Sequence, residues 1–157
     1  MNSLLAKSLR VVNNSMNRVL IPTLRSPAGR LLGRRLAVVS YTGRRTGRTY
    51  DLVTLYARVD DTVVIAVGAA RHKTWWRQFR EPDRVELWLN GRRAIGTATT
   101  IDGARVPGEV LEIVAVVAEH APILRRLVRL PASVPADDPT LLDRARRTVL
   151  VRVEVQP

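Results

Sequence analysis

At 157 residues with 46% hydrophobic content, the chain suits one domain with a sizeable core, and its lack of cysteine excludes disulfides, thiolate metal sites and a Cys nucleophile. Its net charge of +12 is concentrated at one end: residues 1–50 carry ten Lys or Arg and no acid, and the rest of the chain is nearly balanced. Such asymmetry points to an anionic partner there, whether a membrane surface, a phosphorylated ligand or nucleic acid.

Residues 4–20 read as an amphipathic helix. Leu5, Leu9, Val12, Met16, Val19 and Leu20 form one stripe, with Lys7, Arg10, Asn14, Asn17 and Arg18 opposite it. Pro22 is expected to end this helix, and Ser26-Pro27-Ala28-Gly29 to turn into a short basic segment around Leu31 and Leu32. The expected organisation is a basic helix and linker over 1–35, then a single domain over 36–157. From Leu36 the pattern changes to strands. Leu36 to Tyr41 is a short apolar run. Val53, Leu55, Ala57 and Val59 alternate with Leu52, Thr54, Tyr56 and Arg58. Asp60-Asp61 marks a turn into a buried strand over Thr62–Val67, and Thr74 to Arg80 suits a short helix. Val85, Leu87 and Leu89 alternate up to Asn90-Gly91, a strong hairpin signal, and the return strand runs to Ile101. Val106 to His120 reads as a helix with Pro107 in its first turn. A short basic helix over Ile123–Leu130, a loop over Pro131–Pro139 and a helical turn over Leu141–Arg146 follow. The final strand places Val149, Val151, Val153 and Val155 on one face. Short antiparallel strands with inserted helices predict an α+β, mainly β domain closed or half closed into a barrel. The longest apolar runs are too short for a bilayer span of about 20 residues, and a cleavable leader pattern is missing, so a cytoplasmic protein is expected.

Two clusters carry chemistry. The turn Thr42-Gly43-Arg44-Arg45-Thr46-Gly47-Arg48 combines glycines, guanidiniums and hydroxyls, the groups that seat an anion. It is not a Walker loop, because Gly43 and Gly47 are too close and Arg48 stands in place of Lys. The second cluster runs from Gly68 through His72 to Trp75-Trp76-Arg77-Gln78-Phe79 and offers a flat apolar wall. With one His in each of two distant segments, a metal site is not expected. The sequence holds no nucleophile–base constellation, so no catalytic residue is assigned.

The pair of clusters, in this order, resembles the deazaflavin (F420)-dependent nitroreductase and quinone reductase family. The family turn Thr-Gly-Arg-Lys/Arg-Thr-Gly matches Thr42 to Gly47. Its Trp-Tyr-x-Asn-Leu signature aligns with Trp75 to Phe79, followed here by Glu81-Pro82 in place of Asn-Pro. The resemblance spans roughly Leu36 to Ile101 and implies a split β-barrel of the flavin reductase or pyridoxamine-phosphate-oxidase type. It implies that Arg44 and Arg45 hold the phosphate and acidic tail of coenzyme F420, with Arg48 near the place of a further basic residue. Thr42, Gly43, Thr46 and Gly47 would complete the seat, while Gly68, Trp75, Trp76 and Gln78 would lie by the deazaflavin. The implied activity is hydride transfer from F420H2 to a quinone, nitro compound or similar apolar acceptor. Such chemistry needs little acid–base machinery from the protein. FMN is the alternative cofactor. The alternative function is a non-catalytic flavin, deazaflavin or haem carrier, with His72 as the haem ligand. The tyrosines that line the substrate pocket of well-known relatives have no counterpart around Ile123 to Val134. A homodimer is compatible with this reading, and the apolar stripe of residues 4–20, with Lys7, Arg10 and Arg18 opposite it, suits peripheral contact with an anionic membrane. Nucleic acid is not expected, since aromatics make up 4% of the chain and do not interleave with its charge.

Overall fold

The computed structural model describes residues 17–32, 34–118, 120 and 138–157. Helix α1 occupies 17–25 of these and α2 spans Gly29–Leu32. Seven strands follow: β1 (Leu36–Thr42), β2 (Thr49–Leu55), β3 (Ala57–Val59), β4 (Thr62–Ala66), β5 (Asp83–Leu89), β6 (Arg92–Asp102) and β7 (Val149–Val155). Two 3-10 turns, η1 (Ala70–His72) and η2 (Trp75–Arg80), link β4 to β5. Helices α3 (Pro107–Ala118) and α4 (Pro139–Arg146) lie between β6 and β7. The predicted short helix over 123–130, most of the loop over 131–139 and the start of the N-terminal helix lie outside the described residues.

All seven strands form one antiparallel sheet in the order β2-β1-β5-β6-β7-β4-β3. Its two edges are the same piece of chain. β2 pairs with β1, Tyr56 makes a bend, and β3 pairs with β4 on the far side. The Tyr56 N–H leaves the ladder to bond the Arg35 carbonyl at 3.1 Å. A sheet whose first and last strands are contiguous in sequence has to curl, and the result is a half-closed barrel with β2 and β3 at its edges. The continuous strand expected over Leu52–Val59 is thus two strands. Leu52 and Tyr56 pack toward the barrel interior, and Ala57 and Val59 pack outside it.

Alternation fills the interior. Val63 and Ile65 of β4, Val85, Leu87 and Leu89 of β5, and Val149, Val151 and Val153 of β7 meet there with Phe79 and Trp76. The opposite face of β4 and β7, with Val64, Ala66 and Leu150, packs under Val110, Val114 and Val117 of α3 and Leu141 of α4. Asn90 and Gly91 both have positive φ, 51° and 69°, as the predicted two-residue hairpin requires. Asp60, with φ 53°, turns β3 into β4.

Pro22 does not end the N-terminal helix, which continues to residue 25. Proline removes one backbone donor, but tertiary anchoring outweighs that loss. Leu24 is 1% exposed, and the Arg25 guanidinium bonds Ser40 Oγ and Asp51 Oδ1, each at 2.9 Å. Ser40 and Val38 lie on the outer face of β1, and α1 covers that face. Among the described residues no helix is long and apolar enough to cross a membrane.

Candidate functional site

The Gly-Arg turn joins β1 to β2 at the end of the barrel where β5 begins. Its shape is set by local bonds. Gly43 N–H donates to the Arg48 carbonyl at 2.8 Å, and Gly47 N–H to the Gly43 carbonyl at 2.8 Å. Gly47, with φ 63°, occupies the left-handed region that favours glycine. A Cβ added at Gly43 would lie 2.7 Å from Thr46 Oγ1 and 2.8 Å from Tyr50 Cε2, so both side chains would have to move to admit one. Thr46 Oγ1 in turn lies 3.1 Å from the Tyr50 hydroxyl.

The facing wall is η2. A 3-10 turn has three residues per turn, so residues i and i+3 share a face. Trp76 and Phe79 share the core face, at 5% and 0% exposure. Trp75 and Gln78 share a second face and line a cleft of about 660 Å³. Gly43, Arg44, Arg45 and Thr46 line it from the turn, so the two predicted clusters meet across one cavity.

The structure divides the predicted residues into those that build the cleft and those that face it. Arg44 is a builder. Its guanidinium bonds Glu81 at 2.6 Å, Asp83 at 3.1 Å and the carbonyls of Glu81 and Pro82. Its hydrogen bonds to Asp83 and then to Glu81 hold this guanidinium even more firmly protonated than usual. Gln78 is a builder as well. Its amide donates to the Thr42 carbonyl at 2.6 Å and to Asp83 at 3.0 Å, and accepts from Arg44 N–H at 3.2 Å. These bonds tie the turn to η2 and to the start of β5. The exposed ion pairs add little stability, and their effect is to fix position.

Arg45 and Trp75 face the cleft. Among the described residues the Arg45 side chain has no hydrogen bond or ion pair, so its charge is available to a ligand. Arg48 is exposed beyond the lining; its carbonyl closes the turn and its side chain is likewise uncommitted. Trp76 stands in the core, with its indole N–H bonded to the Ala70 carbonyl at 3.0 Å. Burying a large apolar side chain is worth roughly 1.5–3 kcal/mol, which fixes which face of η2 points inward. Gly68 lies in the turn after β4, beside the Ala69 left-handed bend, and is not among the residues lining the cleft. His72 is exposed on η1, also away from the lining.

Six residues that line the cleft, Tyr41, Tyr50, Thr74, Arg77, Arg80 and Glu81, were not among the predicted site residues. Arg77 and Arg80 reach the cleft from η2, and their guanidiniums lie 5.5 Å and 5.2 Å from the Trp76 ring centroid. Their spacing of three in a 3-10 segment was the available signal. Tyr41 and Tyr50 are direct partners across β1 and β2, with rings stacked 5.5 Å apart at 25°. The sequence is symmetric about the turn, Tyr41-Thr42 before and Thr49-Tyr50 after, and a hairpin through that symmetry sets the tyrosines opposite each other. Phe79 backs both Tyr41 and Trp75 edge-on. Burial, and then the neighbouring Tyr50, push the Tyr41 phenol up from its ordinary value, so it stays protonated at neutral pH. The cleft therefore joins an aromatic wall to guanidiniums: among the described residues Arg45 has no partner, and Arg77 and Arg80 rest on the Trp76 ring without an ion pair. Among the described residues no group of three or more His, Asp or Glu is placed to hold a metal.

No protein-family model matches the chain, and none of the curated proteins does. Solved structures do match. A chain described as a domain-swapped dimer is similar at a TM-score of 0.53 and 12% identity, over 94% of this chain and 99% of its own. The FAD and haem binding protein from Mycobacterium smegmatis is similar at 0.47 and 16% identity, over 81% and 63%. A 5-nitroimidazole antibiotic resistance protein from Bacteroides thetaiotaomicron is similar at 0.46 and 12%, over 83% and 78%. At these identities the likeness concerns the fold alone: the chain is a mostly-β half-barrel of the split-barrel fold, as its sequence led us to expect.

Proposed function

We propose that the protein is a deazaflavin-dependent reductase that uses F420H2 to reduce a quinone, nitro compound or similar apolar acceptor. The observation that carries this reading is the meeting of the Gly-Arg turn and Trp75 across one aromatic-walled cleft. The residues fit a ligand with a flat conjugated head and an anionic tail. Trp75, Tyr41 and Tyr50 would flank the ring system, and Arg45, Arg77 and Arg80 would hold the tail, with Arg48 at its outer end. Arg44 and Gln78 would act by holding both walls in register. When bound, the reduced coenzyme would supply the hydride, and the protein would contribute binding, orientation and exclusion of water.

Fluorescence titration of the purified chain with F420 and with FMN tests this, followed by oxidation of F420H2 in the presence of menadione. Tighter binding of F420 together with acceptor-dependent oxidation is expected. Equal affinity, or a preference for FMN, would favour an ordinary flavin protein; tight binding without oxidation would favour a carrier. Peripheral membrane contact through residues 4–20 is a separate proposal, checked by co-sedimentation with anionic vesicles.

A further inference from the structure

A second cavity, of about 900 Å³, opens at the other end of the barrel, around the β5–β6 hairpin turn. Register sets the two apart: the Gly-Arg turn extends from the β1 end beside the start of β5, whereas Leu89 at the end of β5 pairs with Ala37 near the start of β1. Arg30 of α2, Arg58 of β3, and Arg92 and Arg93 of β6 converge on this mouth from separate elements. Arg58 is occupied by Asp61 at 3.6 Å and the Asp60 carbonyl at 2.8 Å. Arg93 is occupied by Glu86 at 2.6 Å. Arg30 and Arg92 have no side-chain hydrogen bond or ion pair among the described residues, and Asp61 is the one acidic side chain in the lining.

The floor differs from that of the first cleft. On the interior face it is formed by Leu89, Ala94 and Val155 with one aromatic residue, Tyr56, while Ile95 lines the mouth from the other face of β6. Arg30 is held at the rim because its segment rests on the hairpin turn. A Cβ added at Gly91 would lie 2.8 Å from the Ser26 carbonyl and 3.5 Å from Arg30 N. Next to it in sequence, Leu31 is 86% exposed. Uncommitted guanidiniums over an aliphatic floor, with a large apolar side chain beside them, fit one kind of ligand.

We propose that this mouth binds a phosphate headgroup carrying an aliphatic chain, with Arg30 and Arg92 on the phosphate and the chain along Leu89, Ala94 and Val155. Guanidinium forks match phosphate oxygens, and an aliphatic floor gives no stacking advantage to a conjugated ring. The proposal does not depend on the coenzyme assignment. Calorimetric titration of the full chain with dodecyl phosphate below its micelle concentration, and with inorganic phosphate, tests it. Dodecyl phosphate should bind at least about tenfold more tightly than inorganic phosphate, because the chain adds apolar burial. The Arg30→Ala plus Arg92→Ala variant should lose at least about tenfold, and Arg45→Ala plus Arg80→Ala should lose nothing. Both pairs are exposed, and urea unfolding verifies the fold of each variant; Arg92→Glu alone serves the same test if the double variant unfolds. Phosphatidylglycerol and phosphatidylcholine vesicles then separate the sources. Sedimentation with the former that is lost in the Arg30/Arg92 variant assigns a bilayer lipid, and dodecyl phosphate binding without vesicle binding assigns a free amphiphile. Unchanged dodecyl phosphate affinity in the Arg30/Arg92 variants, or equally tight binding of neutral dodecyl maltoside, overturns the proposal.

Discussion

The two ends of the barrel carry similar charge and differ in what surrounds it. At the Gly-Arg end, Arg44 is used up by Glu81 and Asp83, which leaves Arg45, Arg77 and Arg80 beside stacked tyrosines and Trp75. At the hairpin end, Arg58 and Arg93 are used up, and Arg30 and Arg92 stand over aliphatic side chains. An arginine count separates neither end from a solvated surface. What separates them is which guanidiniums remain uncommitted and whether the adjoining wall is aromatic or aliphatic.

The largest expected effect concerns the wall of the first cleft. Trp76→Ala should cost about 3–5 kcal/mol of stability, since it empties a core site and removes the indole hydrogen bond to the Ala70 carbonyl. Trp75→Ala, one residue away, should leave the urea midpoint close to the parent's and weaken F420 binding. If the two substitutions destabilise equally, Trp75 is core as well and the aromatic wall is misassigned.

A crossed pair of variants sharpens the contrast between the ends. Arg45→Ala plus Arg80→Ala should weaken F420 by at least about tenfold, because charge-assisted bonds to an anion are worth roughly 1.5–3 kcal/mol each and exposure reduces that. The loss should shrink as salt is raised, because screening already weakens the parent. Arg30→Ala plus Arg92→Ala should leave F420 affinity unchanged. Equal losses from both pairs, measured by titration at two salt concentrations, would mean that the cofactor senses overall charge rather than a site.

Arg44→Ala separates building from facing. It should weaken F420 although Arg44 is already paired, and it should raise amide exchange across Thr42–Gly47, where the turn loses its tie to Glu81 and Asp83. Arg45→Ala should leave that exchange unchanged. Identical exchange patterns would erase the distinction.

This distinction was not legible in the sequence. Strands with one buried face announce themselves by alternation, and Val85, Leu87 and Leu89 did so; Asn90-Gly91 fixed their hairpin. Arg44 and Arg45 look alike in sequence, and only the return of Glu81 and Asp83, nearly forty residues later, commits one and spares the other. Gln78 was expected beside the ring and instead spends its amide on Thr42, Arg44 and Asp83. Trp75 and Trp76 differ by one step around a 3-10 turn, and that step sends one ring to the cleft and the other to the core. The continuation of α1 through Pro22 rests on Leu24 and Arg25 docking on β1, a tertiary contact that local propensity does not report.

The smallest effect distinguishes the hairpin end by pH. Arg93 lowers the Glu86 carboxyl below its ordinary value, assisted by the Trp88 indole N–H and opposed by partial burial. A carboxyl depressed in the folded state adds stability that is fully present above its unfolded pKa and is lost as pH falls through the folded one. Stability should therefore decline below the ordinary glutamate range, and Glu86→Gln should make that decline shallower. The same protonation releases Arg93 from its partner at the rim of the hairpin mouth. Affinity for dodecyl sulfate, whose headgroup does not titrate, should then rise at that mouth as pH falls, and Glu86→Gln should show the raised affinity already at neutral pH. If the substitution leaves dodecyl sulfate affinity at neutral pH unchanged, Arg93 takes no part in the anion site, and Arg30 and Arg92 bear it alone.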